Sequence, residues 1–176
     1  MNPLPSPRYT RDPADPDWLN QAVQFHGHLG PWATAGLRAG MAGRRAAGAN
    51  GYFDLSVTVE GPFAEPPKSC FLDGLQVSTG ATLGKRNLQW IAGDEIVVRI
   101  RNTKTGAVAE VRPTKKLVEL VTSFAPATTG AGMSPDGNRK SADDSLEATA
   151  RQIARLPEPD VLTVRLDDPM DKERRR

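Results

Sequence analysis

One cysteine, Cys70, and two histidines, His26 and His28, are all the thiol and imidazole this chain of 176 residues contains. A single cysteine excludes an intrachain disulfide and any multi-cysteine zinc knuckle, so Cys70 acts alone or beside non-cysteine partners. No apolar run approaches the roughly 20 residues a membrane helix needs, and the N-terminus lacks the charged-then-apolar order of a signal peptide. No membrane partner is therefore expected, and a cytoplasmic location is. Charge imbalance is also missing. Lys and Arg number 23 against 21 Asp and Glu, a formal net charge of +2 that gives little counterion-release drive toward nucleic acid. The one dense basic run, Glu173 to Arg176, stands at the chain end and reads as a solvated tail.

What is present suits one folded domain: hydrophobic residues make up 38% and charged residues 25%, ordinary values for a globular protein. Pro3, Pro5, Pro7 and Pro13 prevent a helix and mark residues 1–14 as a flexible arm, disordered or ordered on contact. From Asp15, an N-cap, proline at the first helical position and an acidic first turn predict a helix with Trp18, Ala22 and Phe25 on one face, ended by Gly27. Pro31 opens a second helix to about Ala47, rich in small residues that permit close backbone approach. Alternation predicts strands at 54–60, 95–101 and 107–112, the last two a hairpin turning through Asn102 to Gly106, and a final strand at 161–166. Helices are expected after Pro66 and Pro67, over 114–124, and from Ser141 capped with Asp144, with a loop at 125–140. The resulting expectation is a single α+β domain over 15–167, its antiparallel or mixed sheet packed with helices, followed by a polar tail at 168–176.

His26 and His28 flank Gly27 at a helix end. In a bent segment residues two apart share a face, and glycine makes the bend easy. Neutral imidazoles with a thiolate would give three ligands for a transition metal and leave a position open, the pattern of catalytic zinc; alternatively one histidine caps a helix and the other packs. Cys70 falls in the first turn of its helix, where the dipole favours thiolate, or else packs as a small hydrophobe. Asp73 lies one turn further along the same face, placed to accept a proton, and Gln76 follows. Residues 78–87 mix glycines and hydroxyls with Lys85 and Arg86, either holding an anion or forming a solvated turn. Trp32 and Trp90 would flank a flat ring or simply pack.

Taken together, FHGHLGPWATAGLRAG at 25–40 and CFLDGLQVSTGATLGKRN at 70–87 resemble the formylmethanofuran dehydrogenase E-subunit family. The resemblance implies an α+β domain, often dimeric, with metal-associated histidine and cysteine; the C-terminal zinc finger of some members is not expected here, with one cysteine in the sequence. Carried over by position, it implies metal ligands at His26, His28 and Cys70, with Asp73, Gln76, Thr79 and Lys85 close by. Many relatives have cysteine where this chain has Gly30, and commonly also at Ala81, so a cysteine-rich ligand set is not expected. The expectation is a homodimer with an open zinc site facing a glycine-lysine loop that takes a small anionic ligand. The alternative is a non-catalytic protein holding haem or a pterin between protomers, since histidine and cysteine both ligate haem.

Overall fold

The computed structural model describes residues 4–123 and 137–167, without the side chains of 137–142. The elements run α1 (Asp17–His26), α2 (Pro31–Ala46), β1 (Leu55–Gly61), α3 (Cys70–Thr79), β2 (Leu88–Ala92), β3 (Val97–Asn102), β4 (Val108–Pro113), α4 (Lys115–Thr122), α5 (Gly137–Arg155), α6 (Glu158–Val161) and β5 (Leu162–Asp167). Among the described residues the strands form one sheet in the order β2-β1-β3-β4-β5. β1 pairs parallel with β2, which the crossover through α3 requires, and every other pairing is antiparallel. The fold is thus α+β with a mixed sheet packed against helices. The predicted hairpin is present, with Val98 opposite Val111 and Arg101 opposite Val108.

Along β1 every second residue is buried, and Leu55, Val57 and Val59 turn inward with Ile100, Ala109 and Val111 of the neighbouring strands. Gly43 of α2 sits on this face, where an added Cβ would lie 2.8 Å from the Ile100 side chain. α3 crosses α2 at still shorter range. A Cβ on Gly36 would fall on the Phe71 carbonyl oxygen, and one on Gly74 would lie 2.0 Å from the Ala33 carbonyl oxygen. The small residues of α2 therefore serve a neighbour within the same chain, and they bring the two backbones together.

Four details differ from the sequence expectations. The buried face of α1 is Leu19, Ala22 and Val23, which pack with Leu29 and Leu37; Trp18 is partly buried against the same cluster, while Phe25 is exposed. Asp15 does not cap α1; its carboxylate is taken by Tyr9 and Arg151, and the chain enters the helix through Pro16. β2 has no counterpart among the expected strands: only Leu88 is buried along it, so the period-2 signal is absent on this edge strand. α5 begins at Gly137, four residues before Ser141, since no proline or glycine between Asn138 and Arg155 stops it. Of the loop expected at 125–140, residues 125–136 lie outside the described residues, as does the tail at 168–176.

Residues 4–14 run against this body. Arg8 donates its N–H to the Gly27 carbonyl at 2.8 Å and bridges His28 in parallel fashion. Tyr9 donates its hydroxyl to Asp15, the Thr10 N–H reaches Glu147 at 3.0 Å, and Arg151 ties Asp15 and Glu147 together at 3.0 and 3.1 Å. The Asp15 side chain is only 1% exposed. Burial alone would raise its carboxyl pKa, but hydrogen bonds from Tyr9 and Arg151 and the guanidinium charge outweigh that and hold it below the usual range.

Two outcomes follow from these contacts. Gly74→Ala must push α3 off α2, so it should lower stability by at least about 2 kcal/mol in urea unfolding; a change near zero would show that the crossing relaxes freely. Because the folded pKa of Asp15 is depressed, its contribution is complete above about pH 4 and lost as pH falls through the folded value. Asp15→Asn should accordingly flatten the acid limb of the stability profile, whereas an unchanged limb would assign acid sensitivity to other carboxylates.

Candidate functional site

Gly27 ends α1 in the left-handed region at φ 90°, its N–H returning to the Val23 carbonyl. That turn swings His28 beside His26, with ring centroids 4.4 Å apart and planes tilted by 41°. Glycine at position 30 gives His28 its room: a Cβ there would lie 2.9 Å from Nε2 of His28. A side chain at this position would compete for the space the ring occupies.

α3 presents the other half of the cluster. Cys70 is its first residue, half-buried and free, and one turn on Asp73 meets Nδ1 of His26 through Oδ2 at 2.7 Å. Gln76 steadies the same carboxylate from 3.4 Å. The His26 side chain is 9% exposed, and its Nε2 is buried without a hydrogen-bond partner among the described residues. Asp73, foremost, and then Cys70 favour the imidazolium more strongly than burial opposes it, raising the His26 pKa to about 9. His28 moves the other way, lowered by burial first and then by the positive charges of His26 and Arg8, with Asp143 opposing. A cavity of about 70 Å³ opens between His28, Gly30, Trp32, Pro67, Cys70 and Leu146.

His26, His28, Cys70, Asp73 and Gln76 are thus brought together, and the remaining expected residues are not. Thr79 is buried at the far end of α3, where its hydroxyl donates to the Leu75 carbonyl at 2.6 Å and accepts from the Ala81 N–H at 3.1 Å. The buried Ala81 lies beside it, well away from Cys70. Lys85 follows, its ammonium 3.4 Å from the Thr82 hydroxyl and 5.9 Å from the Phe53 ring, and Arg86 is exposed at φ 57°. At 1.5 Å per helical residue, the two ends of α3 stand about 14 Å apart. The glycine-lysine loop therefore does not face the histidines of its own chain. Trp32 lines the small cavity, whereas Trp90 donates its indole N–H to the Gly61 carbonyl at the sheet edge. The Asp73–His26 pair is not legible in the sequence as a pair, because it joins residues 47 apart across α1 and α3.

A transition metal fits the cluster in donor chemistry. One imidazole has its Nδ1 turned to a carboxylate and its Nε2 uncommitted, which is how metal-bound histidines are normally held. A second imidazole and a thiol adjoin it. Among the described residues, no three His, Cys, Asp or Glu side chains stand at metal-holding geometry.

Fold and cluster together define an α+β protein with a carboxylate-oriented histidine pair beside a lone thiol. A family model described as FmdE, molybdenum formylmethanofuran dehydrogenase operon, matches residues 25–163, and the chain belongs to that family. It is similar to the crystal structure of a tungsten formylmethanofuran dehydrogenase FmdE-like protein from Syntrophus aciditrophicus, with a TM-score of 0.54 and 17% sequence identity. The match covers 86% of this chain and 71% of that one, and it establishes a shared fold. No curated protein matches the chain. Among the described residues no helix is long and apolar enough to cross a membrane.

In metal-free protein, a nuclear magnetic resonance titration should find one histidine at about pH 9 and the other below its ordinary value. Asp73→Asn should return the first toward the usual 6.5. Titration of both rings near 6.5 in the unaltered chain would refute the pairing. Since the folded pKa of His26 is raised, its stabilisation is complete below the unfolded value and fades as pH rises through about 9.

Proposed function

We propose that this chain is a metal-binding protein of the FmdE type, holding zinc through His26, His28 and Cys70. The observation that carries the proposal is the buried Nε2 of His26: it has no hydrogen-bond partner among the described residues, while the opposite nitrogen is fixed by Asp73 at 2.7 Å. Leaving a buried polar nitrogen unpaired costs about 1–3 kcal/mol, a penalty that a ligand at Nε2 removes. When bound, zinc would supply Lewis acidity, polarising a carbonyl or lowering the pKa of a water. Asp73 orients His26 and fixes which nitrogen is offered, a positioning role rather than that of a free proton acceptor. Gly30 keeps the space in which the His28 ring lies, and Cys70 offers its sulfur from the first turn of α3.

The small anionic ligand and the homodimer belong to the same proposal. Lys85 and Arg86 stand at the opposite end of α3 from Cys70, so they serve the metal only from a second copy. Tyr52, Phe53 and Leu83 beside them are exposed by 64%, 76% and 73%, an apolar surface that such a contact would cover.

Elemental analysis of the purified full chain tests the site. One zinc per chain is expected, with no Soret band in the visible spectrum. Cys70→Ser and His26→Ala should each lower occupancy at least about tenfold, and Asp73→Asn by a similar or smaller factor. Metal content that is negligible, or identical in all variants, would overturn the proposal, and a Soret band would replace zinc with haem.

A further inference from the structure

A second, larger cleft of about 470 Å³ lies between Val118 and Thr122 of α4, the end of β4, the segment before β3 and the approach to α3. Its body is apolar, with Trp32 as floor and Pro62, Ile96, Pro113 and Val118 around it. The size is that of a small-molecule pocket, and such pockets carry a few polar groups that fix orientation. Four charges stand at the rim: Lys68, Asp94, Glu95 and Arg112. Two of them cancel, because Arg112 binds Glu95 at 3.0 Å and Glu110 at 2.8 Å. Lys68 and Asp94 make no side-chain hydrogen bond or ion pair with the described residues. Trp32 also lines the cavity of His28 and Cys70, and Lys68 precedes Cys70 by two residues.

We propose that this cleft binds a small aromatic molecule with an acidic group at one end and an amine at the other, its carboxylate on Lys68 and its ammonium on Asp94. The apolar body takes the ring. One free charge of each sign favours a molecule that carries both, since a ligand with a single charge finds a counter-charge in only one of Lys68 and Asp94. The neutralised Arg112–Glu95 pair closes the rim without adding preference. This inference goes beyond the metal site, which neither Lys68 nor Asp94 enters.

Calorimetric titration of the full chain with p-(aminomethyl)benzoate, p-toluate and p-methylbenzylamine tests it. The first should bind with a Kd of about 1 mM or better, and each single-charge analogue about threefold more weakly. Lys68→Gln should abolish the preference for the zwitterion over p-methylbenzylamine, and Asp94→Asn its preference over p-toluate. Both positions are exposed, so the fold should survive, and Lys115→Gln controls for a general loss of charge. Cys70→Ser protein should bind the zwitterion unchanged, which separates failure here from failure of the metal site. No saturable heat with the zwitterion, equal affinity for all three probes, or a preference that survives both substitutions would overturn the proposal.

Discussion

The crossing of α2 and α3 at Gly36, Gly40 and Gly74 is the contact on which the remaining geometry depends. Without Cβ atoms at these points the helices approach to backbone contact, and a methyl group at Gly36 or Gly74 would fall on a carbonyl oxygen. A carbonyl oxygen cannot yield as the end of a side chain can, so the axial position of α3 is fixed to within a small shift. Asp73 immediately precedes Gly74, and Cys70 stands one turn back. The 2.7 Å contact between Asp73 and His26 is therefore set by glycines that carry no chemistry themselves.

α1 approaches the same point from the other side, and its end is fixed independently. The left-handed Gly27 turns the chain, and the N-terminal arm adds the Arg8 bridge to His28. That arm is held in turn by Tyr9, Asp15, Glu147 and Arg151, a charged group in which every member has a partner. Satisfied networks of this kind give a segment one position, whereas apolar packing alone tolerates sliding. Position matters here, because a histidine pair works as a donor pair only when the backbone between its rings is settled.

Much of this is legible in the sequence where the cause is local. The Gly27 stop, the Pro31 start of α2, Cys70 in the first turn of α3 and the hairpin around Asn102 to Gly106 each depend on nearby residues whose backbone preferences are strong. What is lost is lost where the cause is distant. Asp15 has every mark of an N-cap, yet its carboxylate goes to Arg151, 136 residues away. β2 carries one buried residue, and its pairing with β1 exists only after α3 has crossed over. The same applies to the site: both halves of the cluster show in the sequence, but the meeting of Asp73 with His26, and the distance of Lys85 from both, are set by the direction α3 takes.

That direction also explains why the cluster and the larger cleft belong to one region. α3 starts beside His26 and runs away toward Thr79, so Cys70 and Asp73 share their end of the helix with the approach segment bearing Pro67 and Lys68. α2 starts at the same end, which places Trp32, its second residue, between the cavity of Cys70 and the cleft of Lys68. The indole, 6% exposed, is a wall that the two hollows share. The place of Trp32, like those of Cys70 and Asp73, is therefore set by where α2 and α3 start, and so by the glycine crossing behind them.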